Sequence, residues 1–202
     1  MLSLHQQSTC EQLDVLLDER IRNPERKDEI DERIRATFER EVTTFVLDMS
    51  GFSRLVQRFG IIHYLAMIRR MRSVVGPAVE LCRGSVVKFE ADNCFAVFEN
   101  PDDALEACRM IHERLDVLNQ ETEDTSDVFV CIGIGHGPIL LACDDMYGNE
   151  LNLASKLGED TAEKGEVLLT QAAFEGCNQK DSCTSFPLTV SGVTLTAFKW
   201  VR

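Results

Sequence analysis

Asp48 and Asp92 are the residues of this 202-residue chain around which chemistry could be built. Asp48 closes the apolar run TTFVLDM, which predicts a buried strand from Thr43 to Met49. Ser50-Gly-Phe-Ser53 follows at once, at a predicted helix start, where unpaired backbone N–H groups favour an anion. A carboxylate in that place can hold a divalent cation beside a phosphate chain. Asp92 falls in the tight connection of GSVVKFEADNCFAVFE, two short β-rich runs that read as a hairpin. If the strands are neighbours, both carboxylates sit at one end of a sheet. Two acids so placed suit two-metal activation of a hydroxyl that attacks a phosphoryl group. An acid that ends a strand is more often a plain turn residue, so spacing alone leaves both readings open.

Three other polar residues stand out, and each has an ordinary explanation when taken singly. Lys88 reads as a solvated lysine on a strand edge. Asp145 reads as a turn or cap residue ahead of Gly148. Asn152 reads as a buried polar group satisfied by the backbone. The combination is more specific than its parts. FVLDMSGFSRL, then GSVVKFEADNCFAVF, then DDMYGNELNLASKL, in that order and spacing, resembles the class III adenylate/guanylate cyclases over about residues 42–200.

The resemblance implies a role for each position. Asp48 and Asp92 match the two metal-binding aspartates, which would hold two Mg²⁺ or Mn²⁺ ions per site. The backbone of Ser50, Gly51, Phe52 and Ser53 would meet the triphosphate. Lys88 and Asp145 match the pair that reads adenine, the lysine donating to N1 and the aspartate accepting from the exocyclic amine. Guanine presents the opposite pattern, so the pair implies ATP as substrate, with 3′,5′-cyclic AMP and pyrophosphate as products. Asn152 matches the asparagine that positions the ribose. In the family the metal aspartates come from one subunit and the base-reading and transition-state residues from the other. One chain carrying both sets implies a head-to-tail homodimer.

Two departures bear on rate. The position of the transition-state arginine holds Lys156, which keeps the charge but loses the planar fork that matches a phosphate. The phosphate-binding lysine expected between the last two strands is missing, and Ser191 stands near its place; Lys164, Lys199 and Arg202 are the candidates to replace its charge. Ala91 replaces the glycine that usually precedes the second metal aspartate. An alternative reading follows: a catalytically weak or inactive cyclase-homology module that binds nucleotide or a partner and regulates through dimerisation.

The elements that must position these residues are legible as a pattern. Gly51 to about Cys82 reads as helical with a break at Gly60, and PDDALEACRMIHERLDVLNQ as a helix with Pro101 in its first turn. VFVCIGIGHGPILLAC reads as two β runs around a Gly135–Pro138 turn. GNELNLASKLGEDTAE reads as helical, EVLLT as a strand, QAAFEGC as a short helix, and FPLTV with VTLTAFKWV as a final antiparallel pair. The fold class expected is α+β: a ferredoxin-like βαββαβ core with an αβ extension, its antiparallel sheet covered by helices. Residues 1–41 read as an N-terminal helical extension and 42–202 as the cyclase domain. In the extension, Ser8 to Glu11 match a capping box, Asn23-Pro24 a second helix start, and Ile30, Ile34 and Phe38 a narrow apolar stripe. The stripe suits a charged helix lying against the domain; contact with a second subunit is the other use for it.

Composition narrows the rest. A net charge of −13 disfavours nucleic-acid backbones and anionic lipid surfaces, while a small anionic substrate neutralised by metal stays compatible. There is no run of 18 apolar residues and no signal-peptide core, which predicts a cytoplasmic protein without membrane insertion. None of the eight cysteines forms a CxxC pair, so all are expected reduced. Ferredoxin-like palms with two metal acids also serve template-directed nucleotidyl transfer, but the acidic surface argues against a template.

Overall fold

A computed structural model describes residues 4–190 and 192–201. Strand β1 (Glu39–Met49) lies in the interior of an eight-stranded sheet. It pairs antiparallel with β3 (Asn93–Phe98) on one side and β4 (Val130–Ala142) on the other. β2 (Ser85–Glu90) lies beyond β3, and β6 (Val167–Thr170), β8 (Val193–Trp200) and β7 (Cys183–Val190) continue past β4. β5 (Asp145–Tyr147) pairs with the far end of β4. The order β2-β3-β1-β4 is that of the expected βαββαβ core, and β6 joins β4 in parallel. β2 and β7 are the outer strands, and exposed Pro187 lies on β7 opposite Thr196.

Alternation along β1 assigns its two faces. Phe45, Leu47 and Met49 are fully buried against α4 (Ile61–Leu81) and α5 (Pro101–Gln120), with Tyr64, Met71, Leu105 and Ile111 in the same core. Each such side chain contributes roughly 1.5–3 kcal/mol by leaving water. Asn100 caps α5, its side chain accepting from the Asp103 amide at 3.0 Å. On the opposite face lie α6 (Asn149–Ser155) and the π-helical turn Lys156–Thr161 that extends it. They rest on glycines of β4: a Cβ on Gly133 would come within 1.9 Å of the Ala154 carbonyl oxygen, and one on Gly135 within 2.5 Å of that of Glu150. A smaller cluster of Leu157, Leu168, Leu188 and Ala197 fills the space beneath β7 and β8, beside α7 (Gln171–Gly176).

These glycines correct one expectation. Residues 130–142 form a single strand, paired with β1 from Glu39↔Leu140 to Met49↔Val130. Gly133 and Gly135 there serve the close approach of a helix rather than a turn, and the true turn comes at Cys143 and Asp144, both at positive φ. The break at Gly60 (φ +84) and the Glu90–Asn93 hairpin are as expected.

The N-terminal helices α1 (Leu4–Arg22) and α2 (Lys27–Phe38), joined through a 3₁₀ turn at Pro24–Arg26, pack on the far end of β4. The capping-box expectation at Ser8 fails, because α1 already starts at Leu4. Ile30, Ile34 and Phe38 are buried with Leu13, Leu16 and Ala142, so the stripe faces this chain's own sheet. Arg20 bridges to Asp31, tying the two helices together.

Candidate active site

Asp48 is the penultimate residue of β1, on the face shared with the α6 layer, and is half-buried. Ser50 follows, its N–H donating to the Phe129 carbonyl at 2.9 Å, so the turn is fixed to the strand beside it. Gly51 takes φ +97, a left-handed conformation that admits glycine cheaply, and α3 (Phe52–Phe59) begins directly after it. The free N–H groups of this first turn therefore face the same sheet end as Asp48.

Asp92 stands in the two-residue β2–β3 turn. β3 lies against β1 with Cys94 opposite Leu47, which brings Asp92 to the Asp48 end of the sheet. Tyr64 of α4, fully buried, donates its hydroxyl to Asp92 Oδ2 at 2.8 Å. Arg72 of α4 donates to the Ala91 carbonyl and lies 5.1 Å from the Phe89 ring centroid, pinning the turn from below. Burial, then the charges of Asp92 and Glu159, push the Asp48 carboxyl up to about 7. Burial, only partly offset by a hydrogen bond from Ser155, also raises Glu159 in the π turn, with Asp160, Glu90 and Asp92 adding to it. Acids left uncompensated in this way fit a hard divalent cation, whose ligands are oxygens and whose charge would reverse these shifts. Among the described residues no group of three or more His, Cys, Asp or Glu forms a ligand cluster.

Lys88 and Asp145 come together elsewhere. Lys88 Nζ lies 3.0 Å from Asp145 Oδ2 and 3.1 Å from Glu90 Oε2, with the Phe95 ring centroid at 5.0 Å. β5 makes this contact by folding from the end of β4 back toward β2. Burial acts to lower the Lys88 pKa, but the hydrogen bonds to Asp145 and Glu90 outweigh it and the net shift is upward.

Asn152 is exposed on α6, and Lys156 follows one turn later, its Nζ 2.6 Å from Asp160 Oδ2. Glu150 holds α6 in place. Its carboxylate accepts from Thr170 Oγ1 at 2.7 Å and from the His136 amide at 3.2 Å. Of the candidates for the missing phosphate lysine, Lys199 is paired with Glu166, and Lys164 sits over the Phe129 ring, 3.3 Å from its centroid. Ser191 and Arg202 lie outside the described residues.

The sequence-predicted residues thus fall into two groups: Lys88 contacts Asp145, and Asp48 lies close enough to Asp92 to feel its charge. Sequence reasoning missed Tyr64, Arg72, Glu150 and Glu159, whose partners lie far away in the chain or on another element. The only sequence signal for Tyr64 was a tyrosine among the apolar positions of a helix, which needs a partner for its hydroxyl.

Residues 34–193 match the family model described as the adenylate and guanylate cyclase catalytic domain. A Rhizobium meliloti protein named "Putative adenylate cyclase 3" is 23% identical over 128 residues, which span 63% of this chain and 22% of that protein. The chain therefore corresponds to about a fifth of the length of that relative. Among solved structures, an adenylate/guanylate cyclase/hydrolase from Silicibacter pomeroyi superposes with a TM-score of 0.69 at 24% identity, covering 81% of this chain and 98% of that one. The adenylyl cyclase CyaB of P. aeruginosa superposes with a TM-score of 0.65 at 21% identity, covering 81% and 95%.

Proposed function

The chain belongs to the adenylate and guanylate cyclase catalytic domain family, and from that premise we propose that it converts ATP to 3′,5′-cyclic AMP and pyrophosphate in a head-to-tail homodimer. The observation that carries the choice of ATP is the Lys88–Asp145 pair at 3.0 Å. An ammonium donor beside a carboxylate acceptor complements N1 and the exocyclic amine of adenine, and the pair opens to admit the base edge between them.

Asp48 and Asp92 of one subunit would hold the cations, and the backbone N–H groups of the Ser50–Ser53 turn, at the start of α3, would receive the phosphates. Mg²⁺ or Mn²⁺, two per site, would neutralise the triphosphate and ease deprotonation of the ribose 3′-hydroxyl. From the partner subunit come the base-reading pair, the Asn152 equivalent that orients the ribose, and the Lys156 equivalent that meets charge developing on the α-phosphate. The 3′-oxygen attacks phosphorus in line and pyrophosphate leaves. Residues 42–202 form the catalytic unit in this reading, with 1–41 as its helical extension, and use of cellular ATP places it in the cytoplasm.

The test is cyclic AMP formation from Mn-ATP over a range of protein concentrations, with Asp48→Asn as the blank. Product that disappears in the variant supports the reading. ATP binding that requires Asp48 and Asp92 yet yields no product sinks it.

One observation favours a second reading, a weak or silent module that binds nucleotide and regulates through dimerisation. Lys156 is engaged by Asp160 within its own helix rather than held free for a phosphate. Replacing Lys156 by Arg separates the two readings: a gain in turnover marks a slowed enzyme, and no gain from a silent parent marks the module.

A further inference from the structure

Asn93 opens β3 directly after Asp92, and its side-chain carbonyl oxygen Oδ1 is buried and accepts no hydrogen bond among the described residues. A buried oxygen without a donor costs stability, so its place in the fold matters. Alternation along the two strands assigns that place. On β3, Cys94, Ala96 and Phe98 belong to the core beneath α4 and α5, so Asn93 and Phe95 lie on the other face, where Phe95 meets Lys88. On β1, Leu47 and Met49 belong to the same core, so Asp48 lies on the other face too. Leu47 stands opposite Cys94, and one step further along this antiparallel register Asp48 stands opposite Asn93. Side chains so opposed on one face have Cβ atoms about 4.5–5.5 Å apart. Asp92 completes the group. Tyr64 occupies its Oδ2, which leaves Oδ1 for a cation.

We propose that Asn93 Oδ1 is a third protein oxygen for the divalent cation that Asp48 and Asp92 would bind. The inference rests on the metal reading of those two aspartates and adds a ligand to it. The donor fits the group. An amide carbonyl is a hard, neutral oxygen of the kind that Mg²⁺ and Mn²⁺ accept beside carboxylates. A cation would supply the positive partner that no N–H or O–H of the described residues gives this oxygen. Neutrality matters at this position. Asp48 already feels the charges of Asp92 and Glu159, and a third carboxylate at 93 would add to that repulsion in the metal-free protein. An amide supplies a ligand and no charge. The turn that carries it is also well held, since Arg72 donates to the Ala91 carbonyl from the α4 side. Asp92 and Asn93 are therefore offered together from a fixed base, as a metal site requires of its ligands.

The experiment titrates Mn²⁺ alone, without nucleotide, into the full chain and follows free Mn²⁺ by electron paramagnetic resonance, for the parent and for N93L, N93D and D48N. Leucine keeps the branched shape of asparagine and removes its polar atoms. The parent is expected to bind Mn²⁺ and D48N to lose that binding. N93L should raise the dissociation constant about tenfold. N93D keeps the oxygen and adds a charge, so it should lower the constant several-fold. Melting of the metal-free proteins separates ligation from folding. N93L is expected to melt no lower than the parent, because it removes a desolvated oxygen, and N93D to melt lower, because it adds an acid to the group. Parental Mn²⁺ affinity in a folded N93L, or weakened affinity in N93D, overturns the ligand. If N93L melts far below the parent, the direction of the N93D change decides alone. Mn²⁺ binding that survives in D48N overturns the metal reading and this ligand with it. Binding lost in D48N yet unchanged in N93L overturns Asn93 only, so the two failures are told apart.

Discussion

Ala91 sits at φ +47, where a Cβ crowds the following carbonyl at roughly 1–2 kcal/mol. Part of that gain is offset because glycine is freer in the unfolded chain. Ala91→Gly is therefore expected to stabilise the protein by about 0.5–1 kcal/mol, read as a higher urea midpoint at unchanged slope. Asp48 gives a pH signature in metal-free protein. Its folded pKa of about 7 exceeds the unfolded value, so its contribution to stability is full below about pH 4 and is lost as pH rises through 7. Asp48→Asn should flatten that decline in melting temperature, and Mn²⁺ should oppose it in the parent alone. A slope left unchanged by Asp48→Asn would show that the charge is screened. At position 156 an arginine restores the planar fork, and about a tenfold higher kcat with little change in KM is expected if the lysine already reaches the phosphate. The site acids were visible in the sequence because strand ends and turns are marked locally. Tyr64 and Arg72 were not, because the turn they brace approaches α4 only once the sheet is assembled.

At the scale of elements, α6 is positioned by contacts that side chains would prevent. Ala154 and Glu150 carbonyls lie directly on Gly133 and Gly135, so a methyl at 133 must push the helix away from the sheet. Gly133→Ala is expected to cost about 1–3 kcal/mol or more, and to lower kcat through displacement of Asn152. Denaturant unfolding measures the first and Mn-ATP turnover the second; a variant with parental stability would remove the argument. The same glycines explain why the sequence misleads between 130 and 142. Read locally, GIGHGP signals a turn, whereas in the fold it is a strand stripped of side chains on one face. β5 went unforeseen because three residues carry no usable alternation, and the π-helical turn because its extra residue leaves no compositional mark. The central strand, the hairpin and the helix pair around Gly60 were legible, since burial on one face imposes a period that a single sequence displays.

Across the whole molecule, the pairs fall into two groups, Asp48 with Asp92 at one end of the sheet and Lys88 with Asp145 under β5. A composite site between two copies makes a specific demand. Asp48→Asn and Lys88→Ala proteins, each inactive alone, should regain about a quarter of parental activity when mixed in equal amounts. Half of the random dimers are mixed, and each mixed dimer has one intact site of two. No recovery on mixing would place the whole site within one chain. A second property of the assembled sheet lies at its other border. β7 has a neighbour on one side only, and an open strand of this kind is a template on which further chains can stack into fibrils. Pro187, exposed on that strand, offers no N–H to an incoming chain and so interrupts the template midway. It guards the protein against ordered aggregation, and Pro187→Val should shorten the lag before turbidity on prolonged warming.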